Sequence, residues 1–114
     1  MNATDAEQIV MGQILLDHRV MSQAAQVLKA DHFGDEKCKA AYECCLSVWR
    51  SGRGVDLLTV AEQLRKDHRI DVSSTMQELV GWTRRVSAPK HFDDHAQIVK
   101  EHYATRLLPR QDKT

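Results

Sequence analysis

Several features that would point to a particular chemistry are missing from this 114-residue chain. It has no charge excess of either sign, with sixteen basic residues against sixteen acidic ones. A domain that holds nucleic acid by its phosphates carries a basic surplus, so direct nucleic-acid binding is not expected. No apolar run approaches the roughly 20 residues that cross a bilayer, so no membrane contact is expected. The opening MNATDAEQ lacks the basic start and apolar core of a signal peptide. Cysteine is limited to Cys38, Cys44 and Cys45. That odd number on one helical segment cannot build a disulfide framework, and the expected compartment is the reducing cytoplasm. No C-x-x-C pair is present to suggest structural zinc. Neither a phosphate-binding G-x-x-x-x-G-K-[ST] loop nor a serine-nucleophile signature occurs. Strand-like alternation, β-hairpin signals, internal repeats and low-complexity tracts are absent as well.

Helical periodicity is what remains. Cys38, Ala41, Tyr42, Cys45, Val48 and Trp49 form one stripe of a helix expected from about Glu36 to Arg50, with Lys37, Lys39, Glu43, Ser47 and Arg50 opposite. Gly52 stands where a C-cap glycine belongs, and Gly54 permits a second turn. Thr59 with Glu62 reads as a capping box that opens a return helix through about Asp67. This helix–loop–helix is the expected centre of the fold. Upstream, Thr4 and Glu7 read as a capping box for a mostly buried first helix that ends near Leu16. Met21, Ala24, Ala25 and Leu28 give a second helix, and Phe33 anchors the connector after it. Downstream, Ile70, Asp71 and Val72 read as extended. Ser74 with Gln77, or Thr75 with Glu78, then caps a helix bearing Met76, Leu79 and Val80. Pro89 fits the first turn of a last helix with Phe92, Ala96, Val99, Tyr103 and Leu107 in a row. Pro109 ends it.

The expected fold is an all-α, compact bundle of about six short helices over residues 1–108, with a polar tail at 109–114. Such a domain buries roughly two-thirds of its unfolded surface. The cysteines read as small buried hydrophobes. His91 and His95, one turn apart, lack a third convergent ligand, so no metal or cofactor is expected. Arg84, Arg85 and Lys90 form a small basic cluster that reads as a solvated face. No catalytic constellation emerges, and a compact helical domain without one acts by binding a partner.

The residues also carry a resemblance. Asp5-Ala6-Glu7-Gln8-Ile9-Val10-Met11-Gly12 through Leu15-Leu16-Asp17 resembles the opening E-A-E-Q-x-V-L-G-x-x-L-L-D of the N-terminal domain of bacterial replicative DNA helicases, the DnaB family. Asp31, Phe33, Tyr42, Leu46, Gly52, Val55-Asp56, Leu57, Thr59-Val60, Glu62 and Leu64 are similar to its second block, in register. Ala96, Ile98-Val99, Glu101, Arg106 and Leu107 resemble a third. Gly54 stands in place of a family proline, and His95 in place of a tyrosine. The resemblance implies a helical head followed by a helical hairpin, here incomplete. In the family such hairpins pair subunits into a collar above an ATPase motor, and primase docks on that collar through its own helical C-terminal domain. It therefore implies a non-catalytic interaction module for helicase assembly and primase docking, with replicative helicase subunits and primase as partners and a weak homodimer through the last helix. Asp5, Gln8, Val99, Tyr103, Arg106 and Leu107 are the implied partner-binding positions. A free-standing regulator that competes for helicase or primase is the alternative, and the chain is expected to be either an excised domain or such a stand-alone relative.

Overall fold

The computed structural model of the chain describes residues 2–68, 71–86 and 91–108. These form six α-helices: α1 Ala3–Leu16, α2 Arg19–Val27, α3 Glu36–Arg50, α4 Leu57–His68, α5 Val72–Arg84 and α6 Phe92–Leu107. A single 3₁₀ turn, Ala30–His32, lies between α2 and α3. No strand occurs among the described residues. Pro89, Lys90, Ile70, Pro109 and the polar tail lie outside them.

The centre of the bundle is α1 rather than the α3–α4 pair. Helix α1 packs on α5 and α6 and also reaches α2 and α3, while α3 lies mainly on α4 and the 3₁₀ turn. The reason is its composition. Ala6, Val10, Met11, Ile14 and Leu15 are all buried, and a helix that is apolar around much of its circumference must be covered on several sides. Gly12 makes the closest approach possible. A Cβ there would lie 2.4 Å from the Trp82 carbonyl oxygen of α5.

The α3 stripe is as read from the sequence for Cys38, Ala41, Tyr42, Cys45 and Val48, which are all buried. Trp49 departs from it and is exposed, although its neighbour Val48 in the same last turn is fully buried. The Tyr42 hydroxyl lies 2.8 Å from the Leu28 carbonyl and 3.1 Å from that of Ala24, and so satisfies the end of α2 from inside the core. Phe33 packs on Tyr42 with ring centroids 4.8 Å apart. After α3, Gly52 adopts φ 83°. Its N–H donates to Trp49 O and that of Arg53 to Val48 O, the paired bonds of a glycine C-cap.

The helix starts differ from the capping boxes expected. Asn2 caps α1 through the Asp5 N–H, and Asp71 caps α5 through the Ser74 N–H. In α4 the box is Asp56 with Thr59: each side chain accepts the other's backbone N–H, at 2.8 and 3.0 Å. At these three starts an Asn or Asp two or three residues upstream takes the N-cap, since its side-chain oxygen reaches the orphan N–H groups. Val72 is therefore helical rather than extended, and α5 continues through Gly81 and Trp82 to Arg84.

Candidate functional site

Glu7 is released from helix capping and buried beneath the connector that leads into α3. Its carboxylate accepts the Gly34 N–H at 2.8 Å and the Asp35 N–H at 2.9 Å. Asp35 in turn caps α3 by accepting the Cys38 N–H at 3.0 Å. The carboxylate thus faces the positive end of the α3 dipole, which offsets part of the cost of burying its charge. Above this clamp lies the C-terminal half of α6. Arg106 donates to the His32 carbonyl at 3.1 Å, and its guanidinium covers Gly34 so closely that a Cβ there would meet it at 2.9 Å. Tyr103 presents its ring edge-on to His32, centroids 4.8 Å apart, with Arg106 over its face at 5.7 Å.

Beside these contacts runs an open polar groove lined in part by Glu7, Gln8, Gly34, Asp35, Glu78 and Arg106. Gln8 at its α1 edge, and Asp5 three residues before it, are already engaged by Arg85. One guanidinium nitrogen donates to Gln8 Oε1 and another pairs with Asp5 Oδ1, both at 2.8 Å. This bond set joins the start of α1 to the end of α5 at the surface, where the Arg85 side chain stays exposed.

The six implied partner positions do not all lie at the surface. Gln8 and Arg106 share the groove, Asp5 adjoins Gln8 through Arg85, and Tyr103 adjoins Arg106 through its ring. Val99 is a correction. It is 1% exposed, because α6 lies along α1 and buries Phe92, Ala96 and Val99 together. The open apolar row expected on α6 begins only past Tyr103, which is half-buried. Leu107 and Leu108, at 64% and 68% exposure, are what remains of it. Glu7 and Arg85 were missed as site-forming residues. A buried glutamate in a first helix turn and an arginine past a helix end have ordinary local readings, and their partners lie far away in sequence.

The chemistry available to the thiols is limited by burial. Cys44 is pushed up to about 12, and Cys38 and Cys45 further still, in each case first by desolvation. They are held as protonated thiols at neutral pH, the form that neither attacks nor ligates. Among the described residues no group of three His, Cys, Asp or Glu side chains is arranged to hold a metal ion. His95 instead meets Gln13 Oε1 of α1 at 3.1 Å. No described helix is long and apolar enough to cross a membrane.

Comparison with known proteins places this architecture. The chain is 28% identical over 106 residues to the replicative DNA helicase DnaB of Rhodothermus marinus, covering 93% of this chain and 11% of that helicase. It is 28% identical over 110 residues to the replicative DNA helicase DnaC of Bacillus subtilis, 96% of this chain and 24% of that protein. The chain thus spans a quarter or less of these relatives. The crystal structure of the N-terminal domain of DnaB helicase from Mycobacterium tuberculosis superposes with a TM-score of 0.82 at 23% identity, covering 90% of this chain and 75% of that one. The N-terminal domain of DnaB helicase from Helicobacter pylori gives 0.75 at 16% identity, over 91% and 80%. At these identities the two structures establish the fold. The DnaB-like helicase N terminal domain profile matches residues 1–101, nearly the whole of the described bundle. The chain belongs to the family of DnaB-like helicase N-terminal domains.

Proposed function

We propose that the domain is a non-catalytic protein-interaction module of the DNA replication machinery, serving replicative-helicase assembly and primase docking in the cytoplasm. The observation that carries this reading is the family match over residues 1–101. The Helicobacter pylori relative with the same fold is described together with its interactions with primase. The surface assigned to partners is the end of α6 with the adjoining groove: Tyr103, Arg106 and Leu107, joined by Leu108, with Gln8 and Asp5 across from them. Two adjacent exposed leucines beside a cation and an aromatic ring suit a partner helix that brings its own apolar stripe. Self-association through the same end is weak, because so small a patch falls below the roughly 1,000 Å² of a stable interface. The balanced charge gives no reason to assign nucleic acid as a direct partner.

The test is a calorimetric titration of the chain with the helical C-terminal domain of primase and, separately, with intact replicative helicase. Saturable binding to at least one of them is expected. It should weaken at least about tenfold when Leu107→Asp and Leu108→Asp are combined, with thermal unfolding unchanged. Absence of binding to both partners by a folded chain, or binding indifferent to that double change, overturns the assignment.

A further inference from the structure

We propose that His32 is a pH-operated latch: as the neutral ring it holds the C-terminal half of α6 against the connector before α3, and its protonation releases that half.

The geometry fixes which form of the ring the closed state needs. A backbone N–H can only donate, so the Lys29 N–H, 2.9 Å from His32 Nδ1, requires a lone pair on that nitrogen. The Lys29 carbonyl accepts the His32 N–H in return at 3.0 Å, and the pair of bonds closes the 3₁₀ turn. Held in this way, His32 meets α6 twice. Its ring takes the edge-on contact with Tyr103, and its carbonyl accepts Arg106 at 3.1 Å. Arg106 then lies over Gly34, whose N–H donates to Glu7 of α1 at 2.8 Å. One ring therefore both closes the turn and carries the end of α6.

A protonated imidazole has an N–H at each nitrogen and no acceptor. Its Nδ1–H would face the Lys29 N–H, so the ring must turn, and Tyr103 loses its edge contact. The new charge is also opposed from two elements. Lys29 acts on it from its own turn, and Lys100 and Arg106 from α6. Asp31 favours the charge, but it is already paired with Lys39 of α3 at 3.3 Å. The Glu7 carboxylate of α1 is taken up by the Gly34 and Asp35 N–H groups. Burial first, then Lys100 and Lys29, hold His32 below its ordinary 6.5. The latch is thus closed at neutral pH and opens as pH falls through that lowered value. It works within one chain and does not rest on the replication reading, although Tyr103 and Arg106 belong to the face assigned there.

The experiment follows the whole chain by NMR from about pH 7.5 to about pH 5. The His32 ring signal should titrate with a midpoint below 6.5, and the Tyr103 ring and Arg106 Nε–H signals should move with that same midpoint. Cross-relaxation between the His32 and Tyr103 rings should be present at the upper end and lost at the lower. Lys100→Gln removes a repelling charge without touching the hydrogen bonds of the ring, so it should raise the midpoint. Helix α6 has histidines of its own, His95 and His102, and His32→Asn separates their effect. Its amide oxygen accepts the Lys29 N–H and takes no proton, so Tyr103 and Arg106 should lose their pH dependence over this range. If that variant does not fold, the wild-type and Lys100→Gln titrations decide alone. A His32 midpoint at or above 6.5, a Tyr103 contact that survives at low pH, a midpoint unmoved by Lys100→Gln, or a response that persists in folded His32→Asn would each overturn the proposal.

Discussion

Removing the Glu7 carboxylate tests how the candidate face is held together. Glu7 is buried and accepts two backbone N–H groups from the Gly34–Asp35 connector, at 2.8 and 2.9 Å. A hydrogen bond to a charged acceptor contributes about 1.5–3 kcal/mol. Glu7→Ala loses two of them, and because the connector is only part-buried, water replaces some of what is lost. The expected cost is about 3–4 kcal/mol, a large share of the roughly 5–15 kcal/mol that holds a domain folded. Glu7→Gln keeps one carbonyl oxygen but offers an NH₂ to the second donor, so about half that loss is expected. Urea titration gives the global number, and amide exchange gives the location. Gly34 and Asp35 should lose protection in both variants before the α4 core does. A Glu7→Ala chain within about 0.5 kcal/mol of the wild type, or unchanged exchange at Gly34 and Asp35, would refute the clamp.

Other consequences follow from single contacts. Gly12→Ala should destabilise by about 1–3 kcal/mol in denaturant, since the new Cβ meets the α5 backbone at Trp82, which cannot step aside as a side chain would; a net gain, as an exposed helix position would give, contradicts that packing. Tyr42→Phe should cost about 1–2 kcal/mol and loosen amide protection at the end of α2, because the Leu28 carbonyl loses its buried donor. His32 is held below its ordinary 6.5, first by burial and then by the positive charges of Lys100 and Lys29, with Asp31 opposing and Arg106 adding. Its Nδ1 also accepts the Lys29 N–H at 2.9 Å, which requires the neutral ring. The folded value lies below the unfolded one, so this contribution is present above about pH 6.5 and is lost as pH falls through the folded value. The urea midpoint of the wild type should therefore drop more between about pH 7.5 and 5 than that of His32→Ala; parallel profiles would count against it.

The parts of the fold that depend on local pattern were legible in the sequence. The α3 stripe, the Gly52 cap and the all-α class needed only periodicity and the conformational freedom of glycine. The α1 circumference was legible too, although its consequence, that α1 is the hub, was assigned to α3. The capping boxes failed because Asn2, Asp56 and Asp71, which lie just upstream of the Ser and Thr candidates, are equally good N-caps and accept the first free N–H groups instead. At the α6 end only exposure can be compared: Leu107 is open as expected, but Val99 is buried, because that depended on how far α6 lies along α1. Glu7 with Gly34, and Arg85 with Asp5 and Gln8, are contacts between residues 27 and 80 apart at the extremes, and nothing local marks such pairs.

Mapping the contact itself tests the central claim most directly. An isotopically labelled chain titrated with the unlabelled helical C-terminal domain of primase should show its largest amide changes at Arg106, Leu107 and Leu108 and along the groove at Gln8 and Gly34. The amides of Cys45 and Val60, in the buried α3–α4 core, should stay in place. Changes confined to the α4–α5 side, or none where the fold is intact and the primase domain is in excess, would contradict the account.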